Sequence, residues 1–287
     1  MNLQSLRAQY HERIAEDIIR IRTSGDRTYP NFADGGSRSS RTIAAGIVRQ
    51  IGRSGRTETV HGQTAGRRFE QITCDYLSDA FARLQHLRPA AWEYLTTNTV
   101  ISNFDQYRHL AHIDNLVQDD ETLASALGRD YLITPDIVVG RHPVDEASIN
   151  ADAFLLDPEN HDVAGKTPLR ASNGEADTLL LHASISCKWT IRSGRSQNAR
   201  TEALNLIRNR KGRTPHIVAV TAEPLPTRIA SIALGTGDLD GVYHFALSEL
   251  VQSVADADNP DQREMFDMLI HGRRLRDISD LPFDLIT

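Results

Sequence analysis

The feature that most constrains the fold is a change in hydrophobic period near the middle of the chain. Before it, apolar residues recur every three or four positions, as they do from Phe69 to Leu84, which predicts amphipathic helices. After it, the short runs YLITPDIVVGR, TLLLHASISCKWTI, PHIVAVTAE and DGVYHFAL predict buried or half-buried strands. Helical patterns at Gln197 to Arg210 and Pro226 to Leu234 alternate with these strands. This alternation predicts an α/β fold with a partly parallel sheet.

Helical patterns dominate the N-terminal part of the chain. They cover residues 1–22, Ser40 to Ile51, Phe69 to Leu84 and residues 104–127. The chain has 287 residues and no linker divides it, so we predict a single domain over residues 1–287. The predicted fold is α/β, with a central mixed sheet flanked by helices and a helical N-terminal elaboration.

Composition narrows the class of protein. Apolar residues make up 40% and charged residues 24%, which is typical of globular chains and excludes a mainly disordered one. The apolar run IAAGIV is far too short to span a bilayer, and the N-terminal segment has no secretory h-region. Cys74 and Cys187 form no CxxC motif, which argues against a disulfide scaffold and a thiolate zinc site. We expect a cytoplasmic protein without a membrane partner.

Charge is distributed unevenly along the chain. The net charge is −6, yet the segment from Lys188 to Arg213 contains eight basic residues and one acid, Glu202. A local cationic segment on a protein of negative net charge can bind a polyanion at the surface that the segment forms. A charge run also occurs as a solvated helix face, so charge alone does not decide between the two interpretations.

The segment from residue 157 to residue 177 does not fit the alternation of strands and helices. It consists of polar and turn-forming residues between two predicted strands. Loops of this length are uncommon in compact domains unless they bind or regulate something. We therefore expect a binding or regulatory role for it.

Three residues could form a site for metal-assisted hydrolysis of phosphodiesters. Asp136 opens the predicted strand IVVG, Lys188 closes the strand ASISCK, and Glu202 lies on the helix that follows. Carboxylates hold Mg²⁺ through hard oxygen ligands, the metal lowers the pKa of a water, and a lysine stabilises charge on the phosphate. An aspartate and a lysine at strand ends are also common where no such site exists.

Arg192 and Arg195 lie three positions apart, so they would face one side if a helix begins there. Two arginines at a helix start suit the major groove, where each guanidinium can bind guanine O6 and N7. Trp189 is the only aromatic residue in the basic segment. Because proteins that bind single strands stack bases on aromatic side chains, duplex DNA is the favoured ligand.

Longer motifs resemble those of a known family. The run SISCKWTIRSGRSQNARTEALNLIRNRKGRTPHIVAVTAEP, with ITPDIV before it and IALGTGDLDGVYHFAL after it, is similar to NgoMIV-type restriction endonucleases. The similarity spans nearly the whole chain and includes GQTAGRRFE and LRDISDLPFDL. These are type II enzymes with the PD...K nuclease fold that recognise GCCGGC. The resemblance implies a restriction-endonuclease-like fold and Mg²⁺-dependent, site-specific cleavage of duplex DNA.

The resemblance also implies which residues act in catalysis. They comprise a metal-binding aspartate, a lysine, two further acids and a serine, which fall on Asp136, Lys188, Glu202, Glu70 and Ser186. Ser186 takes the place that a glutamate fills in the commoner nuclease motif. The metal would be held by the Asp136 carboxylate and by the backbone carbonyl of Cys187, a ligand that no change of the Cys187 side chain removes.

The resemblance further assigns the residues that contact DNA. Arg192 and Arg195 match the arginines that read the inner CCGG. Asp34 and Arg228 match the residues that read the outer base pair, and Gln63 would approach from the minor groove. Without the resemblance, Asp34, Gln63 and Arg228 carry no signal of their own.

The chain departs from the family pattern at one position of the recognition motif. The family has Arg-Ser-Asp-Arg, whereas this chain has Arg192, Ser193, Gly194 and Arg195. The missing carboxylate would accept hydrogen bonds from cytosine amino groups, and its loss should cost about 1 to 3 kcal/mol of discrimination per base contact. A relaxed or altered target, a deliberate substitution, or compensation by a neighbouring residue such as Ser193 or Ser196 would each account for the glycine.

These observations predict a Mg²⁺-dependent type II restriction endonuclease that hydrolyses duplex DNA at a palindromic CCGG-containing site, GCCGGC or a variant of it. Two chains would each read half of the palindrome. Relatives act as tetramers, which makes the loop at residues 157–177 a candidate tetramer contact.

A cognate DNA methyltransferase would act on the same site without having to bind this chain. The alternatives are a non-cleaving duplex DNA-binding protein on the same fold and a small-molecule hydrolase.

Overall fold

The computed structural model describes residues 2–52, 60–96, 99–119, 122, 125, 133–173, 178–235 and 237–287, and for residues 193–197 it describes the backbone alone. The chain divides into two compact units. The first unit comprises Met1–Arg88, Ile185–Leu204 and His216–Thr287, and the second comprises Pro89–Ser184 and Asn205–Pro215. The expectation of a single domain over residues 1–287 stays a prediction.

Strands and helices alternate in the C-terminal half, as the sequence predicts. The helices are α1 (Leu3–Asp17), α2 (Arg38–Ile51), α3 (Gly62–Leu84), α4 (Arg108–Asp119), α5 (Glu146–Ile149), α6 (Ser193–Asn209), α7 (Pro226–Ala233), α8 (Leu247–Asp256), α9 (Pro260–His271) and α10 (Leu281–Ile286). The strands are β1 (Ile21–Ser24), β2 (Arg27–Pro30), β3 (Trp92–Thr96), β4 (Ile137–Arg141), β5 (Leu180–Lys188), β6 (His216–Thr221), β7 (Gly241–His244) and β8 (Leu275–Asp277).

Strands β3 to β8 form a mixed sheet in the order β3-β4-β5-β6-β7-β8. Strands β3 and β4 are antiparallel, with Trp92 opposite Arg141. Strands β6, β7 and β8 are parallel, so α7 and then α8 and α9 serve as the connections between them. Strands β6 and β7 bury almost every residue, as parallel strands covered on both faces do. The predicted α/β fold with a central mixed sheet flanked by helices is confirmed.

Side-chain caps fix the starts of the first two helices. The Asn2 side chain accepts a hydrogen bond from the Ser5 N–H at 2.9 Å and begins α1. The Ser37 hydroxyl accepts one from the Ser40 N–H at 3.2 Å and begins α2. Helix α1 then buries its apolar face against α3, which places the helical elaboration in the first unit.

The helices predicted over residues 1–22 and 104–127 are longer than the observed ones. Helix α1 ends at Asp17 because the chain turns into the β1–β2 hairpin, in which Ser24 lies opposite Arg27. Gly25 has a φ of 59°, a left-handed conformation that glycine adopts without steric cost. The helix expected over residues 104–127 is present as α4, and much of its predicted C-terminal part lies outside the described residues.

The loop at residues 157–173, in the second unit, is organised around a buried cation. Arg170 is 1% exposed. Its Nε donates to Glu146 Oε1 at 2.8 Å, and its Nη1 donates to the carbonyls of Asn160 and Val163, both at 3.1 Å. One guanidinium thus satisfies carbonyl groups that an irregular chain would otherwise leave without donors.

None of the helices that the structure describes combines the length and the apolar character needed to cross a membrane.

Candidate functional site

Strand β5 ends at Lys188, where the sequence predicts the end of the strand. The Lys188 carbonyl accepts hydrogen bonds from the Thr221 hydroxyl at 2.7 Å and from the Ala222 N–H at 3.3 Å. The carboxyl ends of β5 and β6 therefore lie side by side. The chain segments that leave these two strands begin at the same edge of the first unit.

The aromatic ring of Trp189 anchors this edge to the helical part of the first unit. Trp189 is 6% exposed, and its ring centroid lies 5.4 Å from that of Phe32 and 5.3 Å from that of Phe69, in edge-on contacts. Phe69 directly precedes Glu70 on α3, and Trp189 directly follows Lys188. The contact therefore brings the backbone of α3 beside the end of β5.

The structure distributes the predicted catalytic residues over both units. The first unit carries the lysine, two acids and the two residues that precede the lysine, namely Lys188, Glu70, Glu202, Ser186 and Cys187. Asp136 belongs to the second unit and lies directly before β4, as the sequence predicts. The convergence of these groups on one phosphate stays a prediction.

The predicted metal ligands are of the type that Mg²⁺ prefers. Mg²⁺ usually keeps several waters and takes one or two carboxylates from a protein. The Asp136 carboxylate and the Cys187 carbonyl are both hard oxygen donors, so their chemistry fits this ion. Among the described residues, no group of three or more His, Cys, Asp or Glu side chains could hold a metal ion.

Two residues assigned to the outer base pair contact each other. Arg228 Nη2 donates a hydrogen bond to Asp34 Oδ2 in an ion pair whose side chains are 33% and 36% exposed. Arg228 lies in the first turn of α7, and Asp34 lies in the turn before α2. The fold thus brings together a cation and an anion from distant parts of the sequence, and both side chains stay partly exposed to solvent.

Arg192 belongs to the same cluster. The pKa of the Asp34 carboxyl is lowered by a hydrogen bond from the Gly36 N–H, by the hydrogen bond from Arg228 and by the charges of Arg228 and Arg192. Arg192 is therefore close enough to Asp34 to stabilise its ionised form. We call Asp34, Arg192 and Arg228 the recognition cluster.

A buried acid that the sequence analysis did not single out lies beneath this cluster. Glu223 is 0% exposed. Its Oε2 accepts from the Ile191 N–H at 2.9 Å, and its Oε1 accepts from the Leu225 N–H at 3.2 Å. Arg228 Nη1 lies 3.9 Å from Glu223 Oε1. Glu223 thus connects the chain leaving β5 to the start of α7.

The sequence contains a signal for this residue. Glu223 lies between Ala222 and Pro224, two residues after a strand whose interior, Ile217 to Val220, is apolar. A carboxylate in such a run must find hydrogen-bond donors or a cation when it is buried. Burial raises the pKa of Glu223 to about 7, against the effect of its backbone hydrogen bonds and of Arg228.

For the other residues predicted to contact DNA, the structure gives the position along a helix and, for two of them, the exposure. Helix α6 begins at Ser193, one turn earlier than predicted, so exposed Arg192 precedes the helix and Arg195 lies in its first turn. The Arg195 side chain lies outside the described residues. Gln63 is exposed in the first turn of α3. The DNA contacts of these residues stay predictions.

The basic segment has mixed roles. Arg192, Arg208, Lys211 and Arg213 are exposed, as residues that meet a polyanion must be. Arg200 instead donates to Asp238 Oδ2 at 3.1 Å, and Asp238 is only 8% exposed. Arg200 therefore has a structural explanation.

Comparison with known proteins gives the family. A family model described as NgoMIV restriction enzyme matches residues 10–287. The type II restriction enzyme NgoMIV from Neisseria gonorrhoeae is 47% identical over 280 residues, which cover 96% of each chain.

Two solved structures give weaker matches. The Bse634I restriction endonuclease shares 12% identity, with a TM-score of 0.36 over 87% of this chain and 97% of its own. The type IIF restriction endonuclease Bse634I with cognate DNA also shares 12% identity, with a TM-score of 0.34 over 96% and 99% of the two chains. TM-scores this low add nothing to the assignment.

The resemblance seen in the sequence is thus confirmed by a match that spans almost the entire chain and by a relative of nearly equal length. The chain belongs to the NgoMIV restriction enzyme family.

Proposed function

We propose that this restriction enzyme is a Mg²⁺-dependent type II endonuclease that hydrolyses duplex DNA at a palindromic CCGG-containing site, GCCGGC or a variant of it. The relative NgoMIV is a type II restriction enzyme, which supports the class of reaction. The observation that carries the proposal is the recognition cluster, in which Asp34, Arg192 and Arg228 lie together on the first unit.

The chemistry of the cluster suits a G·C base pair. An arginine can bind guanine O6 and N7 with two hydrogen bonds, and an aspartate can accept from the cytosine amino group. Arg228 and Asp34 supply one group of each kind and are already paired with each other. On binding DNA, Arg228 and Asp34 would replace part of their contact with each other by hydrogen bonds to the outer base pair. Arg192 and Arg195 would read the inner CCGG, and Gln63 would reach the minor groove.

Cleavage would use residues at the ends of β5 and β4. The Asp136 carboxylate and the Cys187 carbonyl would hold Mg²⁺, which would supply Lewis acidity and an acidic water when bound. The Lys188 ammonium would stabilise the negative charge that grows on the phosphate oxygens. Glu202 and Glu70 would add carboxylates for metal or proton binding, and Ser186 would occupy the position of the usual third acid.

The palindromic target fits two copies of this chain, because a two-fold axis of the protein would match that of the site. We further propose that the loop at residues 157–177 contributes to a tetramer. Phe154, just before this loop, is 78% exposed, and Leu155 is 67% exposed. Neighbouring large apolar side chains that are exposed together can mark a protein contact surface. A cognate methyltransferase would modify the same site, in the cytoplasm, without binding this chain.

The decisive experiment incubates the wild-type protein with plasmid DNA that carries GCCGGC. Discrete fragments are expected with Mg²⁺, and binding without cleavage is expected with Ca²⁺. Asp136→Ala should abolish cleavage and retain binding in Ca²⁺. Asp119→Asn, a change of an exposed aspartate in the same unit, is the matched control and should cut normally.

Three outcomes would contradict the proposal. Cutting by Asp136→Ala at the wild-type rate would remove the metal assignment. Binding without any cleavage by the wild-type protein would identify a non-cleaving DNA-binding protein. Binding that does not weaken as salt rises would exclude phosphate contacts by the basic segment and favour a small-molecule hydrolase.

A further inference from the structure

Glu223 connects the two chain segments that carry the proposed base-reading arginines. The Ile191 N–H that it accepts from lies one residue before Arg192. The Leu225 N–H that it accepts from belongs to the cap residue of α7, three residues before Arg228. The two oxygens of one carboxylate therefore hold both segments by their backbones.

A neighbouring threonine extends this connection to the end of β5. The Thr221 hydroxyl donates to the Lys188 carbonyl at 2.7 Å and accepts from the Glu223 N–H at 3.1 Å. Thr221 and Glu223 are both 0% exposed. Buried hydrogen bonds of this kind resist displacement by water, so the relative positions of Lys188, Ile191 and Leu225 are fixed.

Glu223 also acts on the arginine itself. Arg228 lies between two carboxylates, with Nη2 bonded to Asp34 Oδ2 and Nη1 3.9 Å from Glu223 Oε1. Asp34 is partly exposed and is proposed to turn to a base, whereas Glu223 is buried and stays in place. Glu223 can therefore keep the guanidinium oriented after Asp34 has exchanged its partner.

We propose that Glu223 is a positioning residue that fixes the spacing between Arg192 and Arg228 and so determines discrimination at the outer base pair. The inference rests on the proposed function, because it assigns Arg228 to that base pair. Glu223 itself contacts no base and no reacting atom.

Glutamine is the informative substitution because it keeps the shape of the side chain. Glutamate offers two acceptor oxygens, whereas glutamine offers one oxygen and one amino group. In Glu223→Gln either the Ile191 or the Leu225 N–H must face another donor, so one of the two segments is released. The charge that orients Arg228 is lost as well.

The test compares cleavage of two duplexes, one with GCCGGC and one with ACCGGT, in which only the outer base pairs differ. The ratio of their kcat/KM values measures discrimination at the outer position. We expect Glu223→Gln to lower this ratio about tenfold, the effect of one misplaced hydrogen-bonding group. The ratio is the readout, rather than either rate, because a displaced Arg192 would slow cleavage of both duplexes.

Glu249→Gln is the matched control. It replaces another poorly exposed carboxylate, which accepts two hydrogen bonds from Arg7 and lies on α8 rather than beside a reading segment. Its expected result is lower thermal stability with an unchanged ratio. If Glu223→Gln does not fold, Glu223→Asp serves instead, because it keeps the charge and both oxygens but retracts them by one methylene. Glu223→Asp is also expected to lower the ratio of the two kcat/KM values.

The outcomes distinguish a failure of the proposed target from a failure of the inference about Glu223. A wild-type protein that cleaves neither duplex, or cleaves both equally, overturns the proposed target and this inference with it. A wild-type protein that prefers GCCGGC, together with a folded Glu223 variant of unchanged preference, overturns the inference alone and leaves a structural role for Glu223. A reduced ratio in the Glu223 variant with an unchanged ratio in Glu249→Gln supports it.

Discussion

Arg228 and Asp34 form an ion pair that joins the first turn of α7 to the turn before α2. Both side chains are about one-third exposed, at 33% and 36%. A pair this exposed contributes little to stability, since exposed ion pairs give about 0 to 1 kcal/mol. The pair therefore contributes little to folding, which agrees with the role in DNA binding that we propose for it.

Asp34→Asn is expected to weaken discrimination at the outer base pair with little change in stability. The amide removes the charge that pairs with Arg228 and half of the acceptors for a cytosine amino group, a loss of about 1 to 3 kcal/mol of discrimination. Competition between GCCGGC and ACCGGT duplexes measures the effect. Asp26→Asn, in the exposed β1–β2 turn, is the control. Full discrimination by Asp34→Asn would show that Asp34 does not read this pair.

Gly194→Asp is expected to sharpen discrimination within the inner CCGG. The added carboxylate restores the acceptor of the family pattern and should contribute about 1 to 3 kcal/mol per cytosine contact. Cleavage rates on duplexes with single changes in CCGG provide the measurement. No gain in discrimination would mean that another group, such as the hydroxyl of Ser193 or Ser196, already accepts from the cytosines.

Glu223 is expected to make stability fall between pH 4.5 and pH 7. Burial raises the pKa of its carboxyl from 4.5 to about 7 in the folded chain. An acid with a raised folded pKa stabilises the fold below its unfolded pKa and loses that contribution as the pH passes its folded pKa, here about 3 kcal/mol. Urea unfolding across this range, with Glu223→Gln as reference, isolates the effect. Parallel pH profiles for the two proteins would contradict it.

Arg7→Ala is expected to destabilise the first unit by about 3 kcal/mol, because it leaves two poorly exposed carboxylates without their cation. Arg7 donates to Glu249 at 2.7 and 3.0 Å and to Asp277 at 2.8 and 2.9 Å. Thermal unfolding gives the change. The control is Arg13→Ala, whose exposed pair with Asp75 should contribute under about 1 kcal/mol. If Arg7→Ala and Arg13→Ala lower the unfolding temperature equally, the ion pairs of Arg7 with Glu249 and Asp277 stabilise the fold no more than an exposed pair does.

The parts of the fold with strong local signals were predicted from the sequence. Apolar and β-branched runs gave β4 to β7, including the end of β5 at Lys188 and the position of Asp136 before β4. Strand β8 was missed because it has three residues, which are too few to show a period, and it exists through parallel pairing with β7. Strand β3 was missed because it gains its partner, β4, from a distant part of the chain.

The candidate site was predicted less from local pattern than from family resemblance. Asp34 and Arg228 carry no signal alone, since their pairing depends on how α2 and α7 pack. Glu223 was missed because its role depends on two N–H groups, at Ile191 and Leu225, that only the folded chain brings together. Sequence patterns report local structure, and contacts of this kind are not local.

Glu223 holds both segments through main-chain amides, in addition to its ion pair with the Arg228 side chain. Every amino acid except proline supplies such an amide. The two hydrogen bonds therefore do not depend on which apolar side chain fills the buried positions 191 and 225, and Arg192 can be exchanged while these bonds stay in place. Attempts to redirect the enzyme to new targets should therefore vary Arg192 and leave Glu223 and its partner Arg228 unchanged.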